Sequence, residues 1–278
     1  MKSSKDNYTK KVAVIMSVYK NDNSYFFMRA VDSILEQDYK NIVLFIFVDG
    51  PVSSQIEEYL DKIESPLVMI FSSKVSLGLA NGLNVLIDKL ISLGDFEYIA
   101  RMDSDDISYK TRITRQVEFL NSNISIDICG TSCREFGASF ALEEKHLPTT
   151  HQQLLDFSIT RCPFIHPSVM FRRRVFETGI RYPTDTALTE DMALWFELLV
   201  NGFKFANINE VLLDYRLNEN TIKRRKGVDK ALSEVKVRLY YMFKLKRISF
   251  RSILLILSRV VFHLLPDSIM KYAYKNVR

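Results

Sequence analysis

Three aspartates occur within four positions at the end of an apolar run. The segment from 98 to 108 reads YIARMDSDDIS and contains Asp103, Asp105 and Asp106. Carboxylates this close repel one another, unless a cation or hydrogen-bond donors offset the repulsion. Oxygen ligands of this kind suit Mg²⁺ or Mn²⁺, which bridge a few carboxylates and a diphosphate. The same pattern also suits a solvated turn in which Asp106 caps the next helix.

A second acidic pair opens the segment TEDMALWFELL, residues 189–199. Apolar residues recur there at helical spacing, and Thr189 stands at the predicted N-cap. Glu190 and Asp191 then lie in a first helical turn, where the helix dipole stabilises acidic side chains. A carboxylate that faces a cleft can also act as a general base toward an attacking hydroxyl. Both interpretations stay open at this point.

Three further features have less specific patterns. His166 precedes Pro167 and an apolar run, and a lone histidine is more often structural than functional. Arg172–Arg174 suit a diphosphate, a lipid surface or simply solvent. Arg216 follows an apolar run and is equally ambiguous.

The acidic groups need a scaffold, which the apolar periodicity predicts. Buried strands are expected at 11–19 and 41–50, and further strands at 66–73 and 96–103. Helices are expected between them, at 24–37, 53–63 and 78–91. This alternation predicts right-handed βαβ units in an open, doubly wound sheet. Because ligands bind beyond the carboxyl ends of such strands, Asp49 and the Asp103–Asp106 cluster should face one crevice.

Composition narrows the function classes. The 278 residues are 47% hydrophobic and 26% charged, which is ordinary for one large or two small globular domains. The polar start MKSSKDNYTKK lacks the apolar core of a secretory signal, and no apolar run is long enough to predict a transmembrane helix. Three cysteines without metal-site spacing favour a reduced, cytoplasmic setting. No G-x-G-x-x-G follows the first strand, and no P-loop is present.

The charge is divided unevenly along the chain. Residues 221–278 hold 15 Lys/Arg against 3 Asp/Glu, whereas the preceding 220 residues hold 23 against 30. Helices predicted near 228–247 and 250–266 would make this basic tail an interfacial segment on an anionic membrane. The alternative is that the helices pack on the rest of the protein with their basic side chains in solvent. Nucleic-acid binding is not predicted, because no nucleic-acid motif or set of stacking aromatics accompanies the charge.

Six features in a fixed order resemble family-2 glycosyltransferases with a GT-A fold. The first is the opening strand. The other five are SILEQDYKNIVLFIFVDG, GLANGLN, ARMDSDDIS with RITRQ, HPSVMFRR and TEDMALWFELL, and all six lie between about Lys11 and about Arg225. The likeness is greatest to bacterial enzymes that build O-antigen, capsule or other envelope polysaccharides. It implies an α/β GT-A domain over residues 1–220, followed by the basic tail over 221–278.

The resemblance also implies a role for each matching residue. Asp191 matches the catalytic base, and Asp103 and Asp105 match the D-x-D pair that ligates a metal. The nucleotide-sugar site would comprise Asp49, Gly78, Asn84, Arg101, Asp103 and Asp105. The acceptor site would comprise Glu190, His166 and Trp195.

The reaction implied is an inverting transfer that depends on Mn²⁺ or Mg²⁺. The donor would be a UDP-sugar, and the acceptor a saccharide on a polyprenyl diphosphate at the inner face of the cell membrane. Two departures weaken the match: VDGP stands where many relatives have D-D-G-S, and Asn218 stands where many have a histidine. Two alternatives are a non-catalytic nucleotide-sugar binder at the membrane and a sugar-phosphate nucleotidyltransferase. The latter usually needs a glycine-rich loop, which SVYKNDNS does not provide.

Overall fold

The computed structural model describes residues 10–186, 189–219 and 228–276. Its strands are β1 (Val12–Tyr19), β2 (Ile42–Asp49), β3 (Val68–Ser73), β4 (Tyr98–Arg101), β5 (Ile107–Ser108), β6 (Ile128–Phe136), β7 (Met170–Arg172) and β8 (Phe205–Arg216). Its helices are α1 (Ser24–Leu35), α2 (Ser54–Asp61), α3 (Leu79–Leu93), α4 (Arg112–Ser122), α5 (His151–Ser158), α6 (Arg174–Glu177), α7 (Glu190–Val200), α8 (Val228–Lys244), α9 (Phe250–Leu264) and α10 (Asp267–Asn276).

The strands form one sheet in the order β3-β2-β1-β4-β7-β6-β8-β5. The first half is parallel, as the βαβ alternation predicted: β1 pairs with β2 and β4, and β2 pairs with β3. In the second half β6 and β8 are parallel, whereas β7 runs antiparallel to β4 and β6, and β5 antiparallel to β8. The predicted mostly parallel α/β fold is confirmed, with a mixed second half that the apolar runs did not reveal.

Alternating residues of the central strands pack into two hydrophobic cores, one on each face of the sheet. On one face Val12, Val14 and Met16 pack with α1 and α4. On the other face Ala13 and Ile15 pack with α3 and α7. Since both faces of β1 are covered, both must be apolar, which explains the near-continuous hydrophobic run.

The register places the acidic residues at the carboxyl ends of the parallel strands. Asp49 ends β2 opposite Tyr19, while Arg101 ends β4 opposite Ile15. Asp103 therefore follows β4 on the side where β1 and β2 also end. The turn after β1 reaches the same segment, because Ser104 Oγ donates to the Asp22 carboxylate at 2.9 Å.

The tail helices pack on the sheet domain through one face. Met242 of α8 and Ile256 of α9 join Met192 and Phe196 of α7 in a small core. The predicted helices at 228–247 and 250–266 are thus present, each slightly shorter than expected. The basic run KRRKG at 223–227 lies outside the described residues. Within the ranges described, no helix is both long and apolar enough to cross a bilayer.

Candidate active site

The Asp103–Asp106 segment is held by a buried arginine. Arg101 is 1% exposed, and its Nη1 forms an ion pair with Asp103 Oδ1. Burial opposes the charge on Arg101, yet Asp103, Tyr182 and Asp106 together raise its pKa. The guanidinium is therefore a fixed positive charge beneath the aspartates. Its Nε is buried and has no hydrogen-bond partner in the part of the chain described.

Asp106 is the innermost carboxylate of the cluster. Its Oδ1 accepts a hydrogen bond from the Arg216 backbone N at 2.7 Å, while Oδ2 has no partner among the described residues. Burial, followed by repulsion from Asp103 and Asp105, raises the pKa of Asp106 well above its usual range. The alternative role as a helix cap is wrong: α4 begins at Arg112, and Thr111 occupies the N-cap position. Asp106 instead joins this segment to the end of β8.

Arg216 clamps the same segment from β8. Its Nε donates to the Asp105 carbonyl at 2.8 Å. Its guanidinium lies 3.6 Å from the Phe26 ring centroid and 4.3 Å from that of Phe136. Both contacts are short enough for cation–π attraction, so the arginine is confined between two rings. Sequence patterns left this residue ambiguous because its ring partners come from α1 and β6.

Arg112 supports the end of β4 from below and was not predicted as a site residue. It is fully buried, and its Nη2 donates to the Arg101 carbonyl at 2.7 Å. Its Nε donates to Gln116 Oε1 at 3.1 Å, and Gln116 in turn donates to the Ser168 carbonyl at 2.8 Å. Burial lowers the pKa of Arg112 to about 10. The motif RITRQ contained both residues, but nothing in its pattern showed which backbone they would reach.

The oxygen ligands of this cluster fit a divalent cation. No group of three or more His, Cys, Asp or Glu in the described ranges is arranged to hold a metal by itself. Asp103 and Asp105 provide two carboxylates, and Mg²⁺ or Mn²⁺ sites often take one or two protein carboxylates plus substrate oxygens. Burial contributes most to the raised pKa of Asp106, and repulsion from Asp103 and Asp105 adds to it; a cation would offset that repulsion. The residues present therefore fit a metal shared with a diphosphate.

Asp49 shapes a neighbouring loop. It is 4% exposed, and its carboxylate accepts from Ser76 Oγ at 2.8 Å, Leu77 N at 2.6 Å and Gly78 N at 3.0 Å. Gly78 has φ +87°, in the left-handed region that favours glycine, and precedes α3. These bonds hold the β3–α3 loop against the end of β2.

Tyr182 links the two halves of the site and was missed by sequence reasoning. Asn84 Nδ2 donates to its carbonyl at 2.8 Å, and its backbone N donates to Asn84 Oδ1 at 2.9 Å. The phenol oxygen lies 2.9 Å from His166 Nε2. Asn84 was expected in the nucleotide pocket, but both ends of its amide hold Tyr182. Tyr182 stands in an irregular segment without periodicity, so no sequence signal marked it.

The pKa of Tyr182 is influenced by both acidic groups. Burial raises the pKa of its phenol, Arg101 opposes that change, and Asp191, Asp103 and Glu190 each add to it. The carboxylates after β4 and those at the start of α7 therefore both affect the pKa of this one buried hydroxyl. The sequence placed these groups 88 positions apart, from Asp103 to Asp191.

His166 and Trp195 are neighbouring aromatic side chains. Burial and the charge of Arg101 lower the pKa of His166 well below its usual range, so the imidazole is neutral near pH 7. Its ring centroid lies 5.9 Å from that of Trp195, which is only 1% exposed and stacks on Phe171. Trp195 was expected to contact the acceptor, but its side chain is buried in the core and packs against His166.

Asp191 lies half-buried in the first turn of α7, as the sequence predicted. Its Oδ1 accepts from the Met192 backbone N at 2.7 Å, and its Oδ2 lies 3.8 Å from Cys162 Sγ. Burial and the Asp191 charge raise the pKa of the Cys162 thiol to about 12. Thr189 holds the N-cap position without a side-chain cap bond; its hydroxyl lies 3.4 Å from Ser233 Oγ of α8.

Comparison with known proteins relates this chain to a family. The model of glycosyl transferase family 2 matches residues 13–179. A UDP-Gal:alpha-D-GlcNAc-diphosphoundecaprenol beta-1,3-galactosyltransferase of Escherichia coli is 32% identical over 97% of both chains. The amylovoran biosynthesis glycosyltransferase AmsE of Erwinia amylovora is 27% identical over 96% of this chain and 98% of its own.

Solved structures agree in fold. TarS of S. aureus (residues 1–349, in complex with UDP-GlcNAc) superposes with a TM-score of 0.63 over 91% of this chain and 72% of its own, at 14% identity. A mannosyltransferase of Pyrobaculum calidifontis, in complex with GDP-Man and Mn²⁺, superposes with a TM-score of 0.61 over 96% of this chain and 74% of its own, also at 14% identity. The GT-A fold that the sequence indicated is confirmed.

Proposed function

The chain belongs to glycosyl transferase family 2, and from that premise we propose that it moves a hexose from a UDP-sugar to a saccharide hydroxyl with inversion. One observation carries the proposal: the Asp103–Asp106 cluster follows β4 at the carboxyl ends of the parallel strands, where the Arg101 ion pair and the Arg216 hydrogen bond hold it. The diphosphate and its metal are proposed to bind there, with Asp191 as the general base. That arrangement suits direct transfer between two substrates.

The acceptor side supplies the base. Asp191 takes the proton of the acceptor hydroxyl while that oxygen bonds to the anomeric carbon of the donor. The bond from the anomeric carbon to the diphosphate oxygen breaks, and its electron pair leaves with UDP. Attack from the face opposite the leaving group converts an α-linked donor into a β-linked product. Glu190 and the neutral His166 are the proposed hydrogen-bonding partners of the acceptor.

The donor side orients the diphosphate. A Mn²⁺ or Mg²⁺ ion held by Asp103 and Asp105 would offset negative charge on the departing UDP. Arg101 fixes Asp103, while Arg112 holds the Arg101 carbonyl before the cluster and Arg216 holds the Asp105 carbonyl within it. The β3–α3 loop, which the Asp49 carboxylate holds, is proposed to contact the nucleoside.

The proposed lipid-linked acceptor is the acceptor class of a relative. The E. coli galactosyltransferase with 32% identity acts, by its name, on a sugar attached to diphosphoundecaprenol. We extend that acceptor class to this chain and place the enzyme at the inner face of the cell membrane, in O-antigen or capsule assembly. The basic tail would favour an anionic membrane surface.

A transfer assay tests the proposal. Purified protein is incubated with each of several UDP-sugars and GlcNAc on a short lipid diphosphate, with Mn²⁺, with Mg²⁺ or with chelator. We expect UDP release and a β-linked product with one donor, and loss of both in chelator. UDP-sugar binding without transfer to any acceptor would instead support a non-catalytic binder. Formation of a nucleotide sugar from a sugar phosphate would support a nucleotidyltransferase.

A further inference from the structure

The turn between α8 and α9 brings exposed apolar and basic side chains together. Residues 243–251 read FKLKRISFR, with four Lys/Arg and no Asp/Glu. Ile248 is 57% exposed and Phe250 is 82% exposed. Large apolar side chains this exposed at one turn are unusual, and contiguous patches of them mark binding surfaces. We call residues 243–251 the hairpin tip.

Both helices extend this apolar character away from the sheet domain. Phe250, Leu254 and Leu257 of α9 are each at least 48% exposed and follow the spacing of one helix face. On α8, Leu232, Lys236, Tyr240 and Phe243 are exposed and lie on one face. The opposite faces bury Met242 and Ile256 against α7. The hairpin therefore has one apolar face covered by the domain and another in solvent.

The positive charge of the hairpin tip indicates that the partner of its exposed face is anionic. In the part of the chain described, Lys246 and Arg251 form no ion pair, whereas Arg247 pairs with Asp156 at 3.3 Å. Lys244 lies over the ring of Tyr240 at 5.3 Å. Cations around exposed Ile and Phe side chains match the headgroup and acyl layers of an anionic bilayer. A protein partner would need acidic side chains to balance the same cations.

We propose that the hairpin tip docks on an anionic lipid bilayer. Ile248 and Phe250 enter the acyl boundary, while Lys244, Lys246 and Arg251 contact headgroup phosphates. The inference deepens the proposed function, on which it rests, because it identifies the surface that brings the enzyme to a lipid-borne acceptor.

The docked surface is rigidly connected to the site. Tyr241 of α8 donates its hydroxyl to Glu197 of α7 at 2.8 Å, and its ring stacks on Phe196 at 5.1 Å between centroids. Asp191 lies in the first turn of the same α7. Docking through α8 and α9 thus also fixes the orientation of the catalytic helix toward the membrane.

Vesicle co-sedimentation tests the proposal with the full chain. Binding is measured to phosphatidylcholine vesicles with and without phosphatidylglycerol. The variants are Ile248→Ser with Phe250→Ser, and Lys246→Gln with Arg251→Gln. The control is Ile124→Ser, which removes a side chain that is 77% exposed elsewhere. We expect binding only with phosphatidylglycerol, about fivefold weaker for each lost charge and about tenfold weaker for each lost apolar side chain, with the control unchanged.

Three results would overturn the proposal. They are equal binding to both vesicles, variants that bind like the parent, or a parent that is a dimer in light scattering and becomes monomeric in the variants. The third would assign the face to a second copy of the chain. Activity on a short, water-soluble acceptor separates the two proposals. If it persists without vesicle binding, docking fails and the function stands; if vesicles bind but no transfer occurs, the function fails.

Discussion

At the scale of single residues, the site depends on side chains that carry no charge. Tyr182 and His166 share a hydrogen bond of 2.9 Å. Each is shielded from water, which keeps the phenol protonated and the imidazole neutral. The pair is therefore neutral near pH 7, and its hydrogen bond fixes the orientation of both rings.

Removing the phenol oxygen tests this arrangement. Tyr182→Phe keeps the ring but leaves His166 Nε2 without its partner. We expect kcat/KM to fall about tenfold and the free energy of unfolding to fall by about 1 kcal/mol, the typical net value of one hydrogen bond. Steady-state kinetics and urea unfolding measure the two effects. Unchanged kinetics would show that the hydrogen bond does not position the site.

His166 also makes stability depend on pH. Its pKa is lowered from 6.5 by folding, so below that pH the unfolded chain takes up a proton that the folded protein does not. The contribution of His166 to stability is thus retained above the unfolded pKa and is lost as the pH falls below it. In His166→Gln, the decline of stability between about pH 7 and about pH 5 should be shallower. Identical declines in urea unfolding would contradict this.

At the scale of elements, Arg216 holds the aspartate segment to α1, β6 and β8. Arg216→Lys keeps a positive charge but loses the planar stacking between Phe26 and Phe136. We expect UDP-sugar affinity to fall about tenfold, since each stacked contact contributes about 1 kcal/mol, with folding preserved. Calorimetric titration measures the affinity. The matched control is Arg115→Lys, which alters an exposed ion pair to Glu210 and should bind the donor normally. Equal affinity in both variants would show that Arg216 has no positioning role.

Sequence periodicity predicted β1 to β4 and α1 to α3, because each has a recognisable apolar pattern. Of these strands, β1 and β2 are almost entirely buried, whereas β3 is partly exposed at the end of the sheet. The short β5 and β7, of two and three residues, are too brief to show any period. Candidate carboxylates were visible as motifs, but their supports were not. Asn84 and Tyr182 pair across 98 positions, a contact that only the fold creates.

At the scale of the whole molecule, the basic tail is built into the protein by buried polar contacts. Arg238 is 3% exposed, pairs with Glu234 at 2.9 Å and donates to the Ser158 carbonyl at 2.9 Å. The tail thus packs against α5 and α7 and, by our proposal, also binds the membrane. Net charge indicated the second role but contained no information on the first.

This integration predicts unequal effects of losing two tail arginines. Arg238→Gln removes the nearer of two arginines paired with buried Glu234, the other being Arg259 at 3.7 Å, and also the hydrogen bond to the Ser158 carbonyl. The free energy of unfolding should therefore fall by about 2 to 3 kcal/mol, the value for hydrogen bonds to a charged group. Arg247→Gln removes an exposed pair with Asp156 and should change it by less than about 1 kcal/mol. Urea unfolding of the full chain compares them. Similar effects would mean that the tail does not depend on its buried pair.

The central claim is that Asp191 is the base that activates the acceptor. The most direct measurement is single-turnover transfer from the UDP-sugar by Asp191→Asn, with UDP-sugar binding and thermal stability measured on the same preparation. We predict a rate lower by about 10² to 10⁴-fold with donor binding retained, as expected for loss of general-base catalysis. Transfer by the folded variant at the rate of the parent protein would contradict the assignment.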